Sequence, residues 1–258
     1  QFWDGRAGSL EEQAIEPMIN PAEMGMPSLD YVVNTIQGIS GYRSWFKDVF
    51  GHDVNIEDVA KAIACFERTL VSGDSPFDRF VSGDENALDE SAKRGLKLFE
   101  GKARCDQCHS RPFFTDEKYH NIGIDWDTDN VDLGRYRVTG RADDIGAFKT
   151  PTLREIAFTG PYMHDGSLAT LEDTIDFYDK GGNSNPFLDI EMRRPTRSLD
   201  EVLAFYENRQ STGNEDTPEI ELEKLNLTSQ ERADLVSFLN SLSGRGWQLV
   251  KPPDHFPE

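Results

Sequence analysis

Polar capping residues followed by apolar residues at three-to-four spacing recur along this chain, the period of helices that bury one face. Ser9-Leu10-Glu11-Glu12 is a capping box that opens a short helix through about Met18, and Asn20-Pro21 stops it. Ser28 can cap a second helix, with Leu29, Val32, Val33 and Ile36 on one face, and Tyr42 to Phe50 reads as a short aromatic third. Asn55 can cap a fourth, in which Ile56, Val59, Ile63, Phe66 and Leu70 share a stripe and Cys65 reads as a buried free thiol. Ser72-Gly73-Asp74-Ser75-Pro76 is a turn-rich linker, and a domain boundary is expected close to residue 82.

Residues 83–258 form a second expected domain. Gly95 and Phe99 lie four apart on the helical run Glu90 to Phe99, a bare patch beside an aromatic that suits close crossing by another helix. The expected partner begins at the capping box Thr228-Ser229-Gln230-Glu231, continues through Leu235, Phe238, Leu239 and Leu242, and stops at Gly244. Thr170 caps a helix to about Lys180, ended by Gly181-Gly182, and another is expected over Leu199 to Asn208. Residues 110–160 are rich in Gly, Asp and Thr, too long for a plain loop, and should be anchored. The fold class is mainly α. No apolar run reaches the ~20 residues that span a bilayer.

Among 258 residues, 47 Asp and Glu outnumber 27 Lys and Arg, for a net charge of −20. Such a surface repels nucleic acid and anionic membranes and attracts basic partners, and it also keeps a soluble protein soluble. Against that background, the chemistry centres on Cys105-Asp106-Gln107-Cys108-His109. C-x-x-C-H is the sequence form of c-type haem attachment, in which two thiols join the haem vinyl groups and the adjacent histidine supplies an axial nitrogen. A thioredoxin-like site would follow a strand, but the preceding run is helical; a structural zinc site needs four ligands, and no second pair completes it. A disulfide between Cys105 and Cys108 would leave His109 without a role.

A haem iron held by His109 needs a second axial ligand or an open site. Leu171, Ile175 and Tyr178 share one face of the 170–180 helix, so Tyr178 is either that ligand, a hard anionic phenolate, or a core tyrosine with a local hydrogen bond. Glu23, in the turn-rich Asn20-Pro21-Ala22-Glu23-Met24-Gly25, could shuttle a proton between peroxide oxygens or simply be solvated. Trp3 is a core aromatic or an electron relay. Arg6, Arg135, Arg137, Arg141, Lys149 and Arg154 are candidate donors to haem propionates, and exposed ion pairs explain them equally well. His164 reads as a hydrogen-bonding residue, while His52, His120 and His255 have no partner motif and are assigned nothing.

Taken in order, Phe2-Trp3-Asp4-Gly5-Arg6, Asn20 to Gly25, Phe66-Glu67-Arg68-Thr69-Leu70, Cys105 to His109, Phe148-Lys149-Thr150-Pro151-Thr152-Leu153-Arg154 and Pro161-Tyr162-Met163-His164-Asp165-Gly166 resemble the bacterial di-haem cytochrome c peroxidases and their relative MauG. The resemblance implies a two-domain, cytochrome c-like helical architecture with two c-type haems and a calcium ion between them. It implies that His109 ligates the electron-transfer haem, and that the peroxidatic haem motif stands before Phe2, so that this chain looks like the C-terminal part of a longer, exported, periplasmic protein. By the same resemblance Glu23 matches the distal glutamate, Gln13 a neighbouring distal amide and Trp3 the tryptophan between the haems. Thr159 and Pro161 match carbonyl ligands of calcium, an oxygen shell that suits a hard cation. The family's peroxidases place a methionine fourteen residues after the histidine of the Y-x-H motif, and MauG a tyrosine; fourteen residues after His164 stands Tyr178. The implied partners are hydrogen peroxide and a redox partner protein, either a substrate protein whose aromatic side chains lose electrons to high-valent haems or a small cytochrome or cupredoxin.

Overall fold

A computed structural model describes residues 1–128, 130–193 and 222–258. Its helices dominate, with only two-residue strands among the described residues. Two compact units divide the chain: residues 1–73 with 245–258, and residues 74–244. Residues 74–82 belong with the second because Phe77 enters its core.

The first unit holds α1 (Leu10–Ile19), α2 (Leu29–Gly38), α3 (Ser40–Phe50) and α4 (Ile56–Glu67). Ser9, Ser28 and Asn55 each accept the backbone N–H three residues on, as the capping pattern requires. Glu12 differs from a full capping box: its Oε2 accepts from Gly8 N at 2.7 Å rather than from Ser9. Met18, Phe46, Val54 and Val59 form the core, joined by Leu29, Val32, Val33, Ile36 and Ile63. The apolar stripe of α4 is shorter than its sequence suggests. The helix ends at Glu67, Ala64 is fully buried, and Phe66 is 53% exposed. Cys65 is an exposed free thiol rather than a buried one, because each helical step turns about 100° and carries positions 65 and 66 away from the Ala64 face.

In the second unit, α5 (Pro76–Val81), α6 (Glu90–Phe99), α7 (Tyr136–Thr139), α8 (Leu171–Asp179) and α9 (Ser229–Asn240) surround an aromatic cluster. Phe77, Phe99, Phe114 and Phe238 meet edge to face at centroid separations of 5.1–6.1 Å, a favoured geometry for aromatic pairs. The expected crossing of α6 and α9 is present. A Cβ on Gly95 would lie 2.0 Å from the carbonyl oxygen of Asp234, so the bare backbone is what lets α9 approach. Asp234 then fastens the crossing from its nearly buried carboxylate, accepting from Arg94 Nε and Nη2 at 2.8 Å, Ser91 Oγ at 2.6 Å and Gln230 Nε2 at 3.0 Å. The Arg94 hydrogen bonds, helped by Ser91 and Gln230, hold that carboxyl well below the usual carboxylate range against the opposing effect of burial.

A depressed carboxyl pKa stabilises the fold above the unfolded value, about 4, and that contribution fades as pH falls through the folded value. Asp234→Asn is therefore expected to cost about 1–3 kcal/mol at neutral pH, the range for unsatisfied buried partners, and to flatten the acid dependence of unfolding. Denaturant melts of the two proteins at pH 7 and pH 3.5 check both parts.

The 110–160 region is anchored by side-chain-to-backbone bonds instead of regular structure. Asn121 and Asn185 exchange amide hydrogen bonds at 3.1 and 3.2 Å, and Asn121 also bonds Ile145 O and Gly123 N. Tyr119–His120 pairs antiparallel with Phe148–Lys149, Tyr119 opposite Lys149. The helix expected over Leu199 to Asn208 lies outside the described residues. Among the described residues no helix is long and apolar enough to cross a membrane.

Candidate haem site

The C-x-x-C-H motif sits where the aromatic cluster ends. Arg104, in the left-handed region at φ 52°, turns the chain after α6, and Cys105–Gln107 makes one 3-10 turn closed by His109 N bonding Cys105 O at 2.8 Å. This turn brings both thiols and the imidazole into one short segment. Neither thiol is in a disulfide. Burial, with the nearby Asp106 charge, pushes the Cys105 thiol up to about 12, so it is protonated at neutral pH and unlike the acidic thiol of a dithiol redox site.

His109 is held from behind. Its Nδ1 lies 2.9 Å from the carbonyl oxygen of Phe114, whose side chain is fully buried in the aromatic cluster. A carbonyl only accepts, so Nδ1 carries the proton and Nε2 keeps the lone pair, the tautomer that an axial haem ligand requires. Burial holds the imidazole below its ordinary pKa, which favours the neutral, ligating form. Free thiols, an oriented neutral imidazole and an apolar surround form a donor set that fits haem c.

Tyr178 lies on α8 with Leu171 and Ile175, both of which are buried in the same core. Burial pushes its phenol up, and Cys108 and Cys105 act in the same direction. Its neighbour Phe177 packs edge-on at 5.5 Å. Arg154 is committed elsewhere: Nη1 and Nη2 fork onto the two Asp78 oxygens at 2.9 Å, and Nε and Nη2 donate to Pro112 O. It thereby ties α5 to the loop that carries Phe114. Arg6, Arg137 and Arg141 also pair with neighbouring carboxylates.

The remaining candidates fall into separate places. Thr159 and Pro161 are exposed just before the loop that Tyr162 N closes by bonding Leu168 O at 2.7 Å, and among the described residues their carbonyl oxygens accept no hydrogen bond. Two uncommitted carbonyls are the donor type a hard cation takes. His164 stacks on Phe148 at 3.5 Å, with Nε2 3.3 Å from Asp125 Oδ2. In the first unit, Glu23 is exposed on a turn fixed by three bonds onto Asn20, and its Oε1 accepts from Asn20 Nδ2 at 2.8 Å. Gln13 is half-buried on α1 and Trp3 is 43% exposed. Sequence reasoning missed His120, which is flanked by Asp116 and Asp189. In the sequence it stands in no motif, and of its two partners one, Asp116, lies four residues away.

Residues 1–86 match the family model described as di-haem cytochrome c peroxidase. The methylamine utilization protein MauG of Methylorubrum extorquens is 44% identical over 252 residues, covering 97% of this chain and 62% of that protein. The cytochrome-c peroxidase IdrP1 of a Pseudomonas strain is 36% identical, covering 94% of this chain and 64% of that protein. The chain thus spans just under two thirds of the length of these relatives. Among solved structures, a MauG-like protein associated with microbial copper homeostasis is 31% identical with a TM-score of 0.69, covering 95% of this chain and 73% of that one. With the C-x-x-C-H turn, the oriented imidazole and the helical fold described above, these likenesses show that the chain belongs to the family of di-haem cytochrome c peroxidases and MauG.

Proposed function

We propose that this chain works as part of a periplasmic di-haem c-type peroxidase or oxidase that uses hydrogen peroxide to oxidise a partner protein, in the manner of MauG, or a cytochrome c. The reading is carried by one observation: Tyr178, rather than a methionine, stands fourteen residues after His164, on the helix whose Leu171 and Ile175 enter the core of the unit that carries the haem motif. Cys105 and Cys108 would hold one haem c through thioether bonds, and His109 Nε2 and Tyr178 Oη are the donors that would bind its iron. Haem c, when bound, supplies an iron that exchanges single electrons and, at an open position, takes peroxide. With three cysteines the chain can offer one C-x-x-C-H, so the second haem comes from outside these residues.

The side chains divide the remaining work. Burial favours the neutral phenol, so Tyr178 Oη would have to give up its proton to solvent in order to bind iron. Glu23 moves the proton between the two peroxide oxygens at its Oε2, while Oε1 stays on Asn20. Gln13 supplies a neighbouring amide and Trp3 relays charge between the haems. Arg154 acts on the haem through the Pro112–Phe114 loop that orients His109. Thr159 and Pro161 carbonyls contribute to a calcium shell. The unit of residues 1–73 with 245–258 belongs to the peroxidatic half, and residues 74–244 carry the electron-transfer haem motif.

Tyr178→Phe tests the axial assignment. The variant keeps the ring and its packing but removes the oxygen, so its ferric haem is expected to turn high-spin and to bind cyanide at least tenfold more tightly. An unchanged ferric spectrum would remove Tyr178 from the iron.

A further inference from the structure

His120 is gripped from both sides of its ring. Asp116 Oδ2 lies 3.0 Å from Nε2 and Asp189 Oδ2 lies 2.6 Å from Nδ1. Glu191 follows on the short 3-10 turn Ile190–Met192, with its carboxyl group facing that of Asp189 within 4.8 Å. Two carboxyl groups in contact need a shared proton or a cation between them. One ligand atom each from His120, Asp189 and Glu191 lie within 4.8 Å of one another. Glu191 Oε2 is buried and has no hydrogen-bond partner among the described residues, an acceptor left without a donor. The proposed peroxide chemistry uses none of these groups.

We propose that His120 Nδ1, Asp189 and Glu191 bind a first-row divalent metal ion of the zinc or manganese class, with Asp116 orienting the imidazole from its other nitrogen. The arrangement follows the carboxylate–histidine–metal pattern, in which an outer carboxylate takes one ring N–H and fixes the tautomer that offers the opposite lone pair. The flanking carboxylates keep the metal-free imidazole charged, so the ion takes the place of the Nδ1 proton, which goes to solvent; the neutral imidazole and two carboxylates then balance a divalent charge, and the ion gives Glu191 Oε2 the partner it lacks. The imidazole nitrogen separates this site from the oxygen-only carbonyls of Thr159 and Pro161, since nitrogen donors suit zinc and its neighbours better than calcium. The ion would pin Tyr119–His120 to the Asp189–Met192 segment, beside the loop that ends the haem motif.

The test is equilibrium dialysis of the haem-loaded protein against zinc, with excess calcium present and with the exposed Cys65 changed to Ser, the bound zinc being counted by plasma mass spectrometry. One saturable zinc per chain is expected. Glu191→Gln, which keeps the shape but loses the anionic donor, should weaken it at least tenfold. Asp116→Asn leaves the three donors in place and should weaken it about 10- to 100-fold, the range for an outer partner of a metal-bound histidine. Unchanged haem spectra and melting temperatures in zinc-free buffer identify variants that remain folded. Absence of a saturable zinc, or equal affinity in the parent and both folded variants, would overturn the proposal.

Discussion

Gly95→Val is expected to prevent residues 74–244 from reaching their native packing. Even a single Cβ at this position would meet the Asp234 carbonyl oxygen at 2.0 Å, its carbon at 2.6 Å and Phe238 Cβ at 2.7 Å. The first two are backbone atoms of α9 and cannot swing away, so the helices must separate. Separation breaks more than one contact, because the Asp234 hydrogen bonds to Ser91 and Arg94 and the Phe99–Phe238 pair at 5.1 Å belong to the same crossing. Overpacking in a core costs typically about 1–3 kcal/mol, and the loss here should reach or exceed the top of that range. The haem motif feels it through Phe114, which packs in the same aromatic cluster while its carbonyl orients His109. Thermal melts and covalent haem content of Gly95→Ala and Gly95→Val should fall in that order. Native-like melting of the valine variant would contradict the crossing as described.

Glu23→Gln should leave the haem spectra unchanged and lower peroxide turnover by about 10²–10⁴-fold, the usual contribution of a positioned acid-base group. Glutamine keeps an oxygen able to accept from Asn20 Nδ2, so the turn from Asn20 to Gly25 survives. What it loses is the capacity to take a proton from one peroxide oxygen and return it to the other. An intact spectrum with lost turnover separates the proton step from haem binding. Turnover equal to the parent would remove Glu23 from the mechanism.

How much of this was legible in the sequence depended on how local each signal was. Caps were readable because one side chain answers a backbone N–H three residues away, as at Ser9, Ser28, Asn55, Thr170 and Thr228. The α6–α9 crossing was readable from Gly95 because only a missing Cβ admits a backbone so close. Haem attachment was readable because its three donors fall within five residues. Contacts assembled across the chain left no such trace: Arg154 fits the propionate pattern by composition, yet its fork is taken by Asp78, 76 residues away. His120 meets Asp189 69 residues on, and nothing in the sequence near either residue marks the pair. Cys65 was misread for a different reason, since an apolar run around a cysteine does not say which way one residue of a helix faces.

The most direct test of the central claim is stopped-flow mixing of the di-haem protein with stoichiometric hydrogen peroxide, followed by visible spectroscopy and by residual peroxide. The account predicts that peroxide is consumed, that both haem spectra change together, and that the ferric spectra return when a reducing partner protein is added. Unreacted peroxide, with a haem that only cycles reversibly between oxidised and reduced low-spin forms, would contradict it and leave an electron carrier in place of a peroxidase.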